Sequence, residues 1–116
     1  MAVVAVSAWE ATASVSESAT VRRHGDRTVI SLHGDQDITT APVVADTLAR
    51  VIAMDDADLV VDLRDVTFLS AAVIRLLVRS RALTDRYHRS MTLRAPSPCA
   101  ARVLAICGLT DFVEPS

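Results

Sequence analysis

The side chains able to do chemistry are few and scattered. The histidines are His24, His33 and His88. No two of them have a metal-ligand spacing such as His-Glu-x-x-His. The three glycines, Gly25, Gly34 and Gly108, are too dispersed for a loop that cradles phosphate. Asp62 and Asp65 flank a strand end, and such a pair is more often a solvated rim than an acid–base couple. Cys99 and Cys107 do not make a disulfide framework. On one helix they would lie roughly 12 Å apart at ~1.5 Å per residue, too far for a bridge whose Cα atoms approach within about 7 Å. Free thiols fit a cytoplasmic location. A redox-regulated module, with the cysteines pairing between chains, is the minority reading. These patterns argue against an enzyme and imply no metal and no cofactor.

One corner stands out. The loop Gly34-Asp35-Gln36-Asp37-Ile38-Thr39 leaves one predicted strand. The turn Phe68-Leu69-Ser70-Ala71 leaves another and starts a helix that continues through Ala72, Val73 and Arg75. In a parallel arrangement both loops sit at one end of the sheet, where α/β folds place binding surfaces. Ser70 is placed to cap the helix. The helix start also offers unpaired N–H groups and a partial positive charge that would stabilise a phosphate. For Ser70 alone, a plain helix cap is the stronger reading.

The elements that must position this corner follow from periodicity. Met1 to about Ser18 reads as a mobile tail or an extra partial strand, with Trp9 able to dock on the body. The body spans residues 19–116 as one domain. Ala19–Arg23 and Thr28–His33 form a strand pair around a Gly25-Asp26 turn. Thr39 or Thr40 caps a helix with Pro42 in its first turn; Val44, Leu48, Val51 and Ile52 recur at helical spacing up to Met54. Asp58–Leu63 is a nearly continuous apolar run, as in a strand buried on both faces. Ala71 to about Tyr87 reads as a long helix with Arg75, Arg79 and Arg86 in water. Ser90–Arg94 is a strand. Pro96 and Pro98 open a last helix closed by Gly108, and Leu109–Val113 reads as a short edge strand. The order is β-β-α-β-α-β-α, an α/β fold with a mixed, mostly parallel sheet of four to five strands.

Composition limits the partners. The 116 residues suit one core. Aromatic residues make up 3%, leaving few rings to stack on bases or sugars. The net charge of −2 argues against nucleic acid or an anionic membrane as the main partner. All basic residues are Arg. No apolar run approaches the ~20 residues of a membrane span, and Met1–Val6 lacks a basic leader and a long apolar region, so it makes a poor signal peptide.

Three segments together resemble the STAS family of anti-sigma factor antagonists. Gly34-Asp35-Gln36-Asp37 with Thr39-Thr40-Ala41 resembles its Gly-Glu-Leu-Asp…Thr-Ala segment. Val60-Val61-Asp62-Leu63-Arg64-Asp65-Val66-Thr67-Phe68-Leu69 resembles its apolar strand and the step that follows. Gly108-Leu109…Phe112 resembles its C-terminal signature. The resemblance covers about Ala19 to Glu114. It implies helices packed largely to one side of the sheet, and a protein that binds a histidine-kinase-like anti-sigma factor and so regulates sigma-factor-dependent transcription. The surface it implies for that partner comprises Asp35, Gln36, Asp37, Ile38, Thr39, Leu69, Ser70, Ala71, Ala72, Val73 and Arg75. In the family the kinase phosphorylates a Ser at the helix start, within Asp-Ser-Ser/Thr/Ala-Gly. Here those positions are Ser70, Ala71, Ala72 and Val73, so the acceptor position is Ala71, which has no hydroxyl. Three outcomes compete: an antagonist its kinase cannot switch off, a displaced acceptor at Ser70, and an adaptor that binds something else, such as a transporter ATPase.

Overall fold

The computed structural model describes residues 18–54 and 56–115. Strand β1 (Ala19–His24) turns through Gly25 and Asp26 into β2 (Arg27–Gln36). His24 pairs with Arg27 across this two-residue turn, and Gly25 has φ 65° at its first central position. A type II′ hairpin turn reserves that position for glycine. Helix α1 (Ala41–Met54), strand β3 (Asp58–Leu69), helix α2 (Ala71–Arg86), strand β4 (Met91–Arg94) and helix α3 (Pro98–Ile106) follow. The expected order of elements is observed. All but the last residue of the expected tail, Met1–Ser18, lies outside the described residues. Ser18 itself is tied down, its carbonyl accepting from the His33 amide at 2.9 Å.

Among the described residues the sheet has four strands in the order β1-β2-β3-β4. β1 runs antiparallel to β2, and the other two pairings are parallel. Alternation decides which face meets the helices. Ile30, Leu32, Leu59, Val61, Leu63, Met91 and Leu93 share one core with Val44, Leu48 and Ile52 of α1, Ile74 and Leu77 of α2, and Leu104 of α3. All three helices therefore cover the same face. Val60, of opposite parity, is also buried, which explains why Leu59 to Val61 carries no polar residue.

Three details differ from the sequence expectation. β3 does not end at Leu63 but continues to Leu69, pairing with a β2 that runs to Gln36 through two register shifts. Such irregularities break the two-residue alternation by which a strand is recognised. The edge strand expected over Leu109–Val113 is instead a 3-10 helix (Thr110–Phe112), with a single bridge between Leu93 and Val113. The tight turn carries Phe112 into the core, where it is 1% exposed. Thr40 immediately precedes α1 and its carbonyl accepts from the Val44 amide at 3.0 Å, but its hydroxyl turns back to Gln36 and Asp37 instead of into the helix. Gly108 closes α3 as expected: its φ is 70°, and the Leu109 amide donates to the Leu104 carbonyl at 2.9 Å. Cys99 and Cys107 are both free thiols.

Candidate functional site

The two segments singled out by the sequence meet at one end of the sheet. Gln36 pairs with Leu69 in the β2–β3 register. The Ser70 amide donates to the Gln36 carbonyl at 2.8 Å. Thr67 Oγ1 donates to Asp35 Oδ1 at 2.6 Å, tying the strands again at the surface. The β2–α1 loop and the start of α2 thus form one continuous edge.

Gln36 holds the loop from within. It is fully buried, and its Nε2 donates to the His33 carbonyl at 2.8 Å and the Ser18 carbonyl at 3.1 Å. Its Oε1 accepts from Thr40 Oγ1 at 3.2 Å. A buried amide satisfied in this way costs little and fixes geometry. Asp37 then closes the turn that leads into α1. Its Oδ1 accepts from the Thr39 amide at 2.9 Å, the Thr39 hydroxyl at 2.5 Å and the Thr40 amide at 3.3 Å. The Asp37 amide donates to Thr40 Oγ1 at 3.0 Å. The turn before α1 is therefore closed by Asp37, with Thr40 reaching back to it, because the chain turns once before it enters the helix. The Thr39 hydroxyl, with the Thr39 and Thr40 amides, holds the Asp37 carboxyl below its ordinary pKa against a weaker opposing effect of burial.

Ser70 caps α2 as expected, its Oγ accepting from the Val73 amide at 3.4 Å. This cap sets the helical phase. Ala71 and Arg75 point to water, Ala72 is half-buried, and Val73 is fully buried. Of the eleven residues expected to meet a partner, Gln36, Leu69 and Val73 are buried and act as scaffold beneath the surface. The bulk of Val73 is spent on the core. The accessible set is Asp35, Asp37, Ile38, Thr39, Ser70, Ala71, Ala72 and Arg75. Ile38 is 76% exposed at the tip of the loop. Phe68, 49% exposed and paired in register with Asp35, belongs to the same edge. The sequence expectation ends the strand at Leu63 and so places Phe68 only in the turn before α2.

Among the described residues, no group of three or more His, Cys, Asp or Glu side chains could hold a metal ion. Nor is any helix long and apolar enough to cross a membrane.

Residues 19–114 match the family described as Mlab, STAS domain. The chain belongs to the STAS domain family. The fold of this STAS domain is similar to that of an anti-sigma factor antagonist from Mycobacterium paratuberculosis, with 26% identity, a TM-score of 0.74, and coverage of 82% of this chain and 80% of that one. It is also similar to the anti-sigma factor antagonist SpoIIAA in its unphosphorylated form, with 15% identity, a TM-score of 0.75, and coverage of 84% and 87%. For SpoIIAA of Bacillus in its phosphorylated form, the identity is 15%, the TM-score 0.68, and the coverage 84% and 90%. No curated protein matches the chain.

Proposed function

We propose that this STAS domain is an anti-sigma factor antagonist-like regulator that binds a histidine-kinase-like anti-sigma factor through the edge formed by the β2–α1 loop and the start of α2. The observation that carries this reading is the joining of those two segments. Two exposed turns, bonded through Ser70 and Gln36 and through Thr67 and Asp35, present Ile38 and Phe68 among polar groups. An apolar centre within a polar rim is the usual anatomy of a protein interface. The likeness to structures of anti-sigma factor antagonists supports the choice of partner.

The same reading predicts a missing switch. A phosphoserine adds about −1.5 to −2 charges at neutral pH, and Ala71, exposed at the first position of α2, has no hydroxyl to carry them. Ser70, the neighbouring hydroxyl, is engaged in capping and is a poor substitute. The test is capture of the tagged protein's partner from a native extract, followed by addition of ATP. The expected result is an anti-sigma factor whose complex survives ATP with no gain of mass. The variant Ala71→Ser is expected to gain one phosphate and release the partner. Recovery of a transporter ATPase without an anti-sigma factor would overturn the choice of partner. Phosphorylation of the unsubstituted protein at Ser70 would overturn the missing switch.

A further inference from the structure

A groove runs between α1 and α2, beginning beside Ile38 and Ala72 and ending at Tyr87 and Arg89. Ala41, Ala45, Ala49 and Ala53 line its α1 side at four-residue spacing, which is one face of a helix. Leu76, Leu83 and Tyr87 line the α2 side. The floor is apolar and open: Leu83 is 36% and Tyr87 61% exposed. Alanines leave room for a ridge of larger side chains from outside.

Along its α2 side the groove carries two arginines. Arg75 and Arg79 stand one turn apart along it. Among the described residues neither makes an ion pair, whereas Arg50 and Arg94 are paired with Asp46 and Glu114. At the far end Arg89, 8% exposed, lines the groove, and its Nη2 has no hydrogen-bond partner among the described residues. Among the described groove residues Asp56 is the one acidic group, and it sits at that same end.

We propose that this groove docks an acidic amphipathic helix of the partner protein, its apolar ridge on the alanine face and its carboxylates against Arg75 and Arg79. The proposal extends the partner-binding reading along the helix pair and rests on it. α1 has 14 residues, about 20 Å at ~1.5 Å per residue, which is length enough for a helix to lie in the groove with anchors at i, i+4 and i+7.

The test uses two synthetic helical peptides with the same leucine ridge, one flanked by Glu and one by Lys. Each is titrated into the full ¹⁵N-labelled chain. The Glu peptide is expected to shift the amides of Ala45, Ala49 and Leu83, and to weaken as salt is raised. The double variant Arg75→Glu/Arg79→Glu is expected to bind it about tenfold less tightly, as loss of two rim charges implies, and to prefer the Lys peptide. Equal binding of the two peptides, shifts centred on the sheet, or no shifts at all would overturn the proposal. The salt series on the unsubstituted protein decides the matter even if the double variant fails to fold. No anti-sigma factor enters this experiment, so a negative result leaves the choice of partner standing, and failure to capture an anti-sigma factor leaves the groove result standing.

Discussion

Asp37 shows how one carboxylate can set the shape of a binding loop. Its oxygen gathers the Thr39 hydroxyl and the Thr39 and Thr40 amides, and these donors favour its charged form, lowering its pKa. The sign follows from linkage. A carboxylate whose folded pKa lies below its unfolded value adds stability that is fully present above the unfolded pKa and is lost as pH falls through the folded one. The amide resonances of Thr39 and Thr40 are therefore expected to hold constant down to the ordinary Asp value of about 3.9. They should then move with a midpoint below it in an NMR titration. A midpoint at or above that value would show that the loop is not organised by the charged form. Ile38, the exposed apolar tip of that loop, is displayed by this turn, so acid should also disturb partner binding through the loop.

Helix α2 is where sequence and structure can be compared most closely. Its start at Ala71, its cap at Ser70 and its water-facing arginines were all legible, because a capping hydroxyl fixes the phase and 3.6-residue periodicity does the rest. Removing that cap by Ser70→Ala is expected to cost about 0.5–1 kcal/mol in a urea titration, the low end for a cap, since the bond to the Val73 amide is long at 3.4 Å. A cost above about 2 kcal/mol would mean that Ser70 does more than cap. The ends of β2 and β3 were less legible. Val66 and Leu69 are both buried but lie three apart, a spacing no regular strand gives, and only the partner strand reveals the irregularity. Thr39 and Thr40 were adjacent cap candidates between which local propensity cannot choose, and the closing of the preceding turn by Asp37 was not foreseen. Phe112 lies among strand-like neighbours, yet it turns inward where Arg81 stacks on its ring at 4.6 Å. Of the candidate surface, its location was legible because both loops follow strands of one sheet. Which of its residues reach water was not, because Gln36 is a polar residue that the fold buries. The α1–α2 groove left no mark in the pattern, since alanine is compatible with either burial or exposure.

Across the whole domain, Arg89 joins parts that are distant in sequence. It follows α2, and its own amide bonds back to the Thr84 carbonyl at 2.9 Å. Its guanidinium reaches the end of α1 through Nη1 to the Ile52 carbonyl, and the start of β3 through Nε to the Ala57 carbonyl, both at 2.9 Å. A cation at the C-terminal end of α1 also complements the helix dipole. Two opposing effects decide what the residue contributes. Each bond from a charged donor to a buried carbonyl is worth about 1.5–3 kcal/mol. Against this stands the buried Nη2, without a partner among the described residues, a penalty of about 1–3 kcal/mol. The variant Arg89→Met keeps much of the stem's volume, removes both bonds and removes the unsatisfied nitrogen. Its net destabilisation is expected to be about 1–3 kcal/mol by urea titration, with the slope of the transition unchanged because the same core unfolds. No loss of stability would mean that the unpaired nitrogen cancels both bonds, leaving Arg89 a group held in place at no net gain. A larger loss accompanied by a shallower slope would mean that α1 detaches from the sheet before the rest, so that the packing of the helix pair, and with it the groove between α1 and α2, depends on this one side chain.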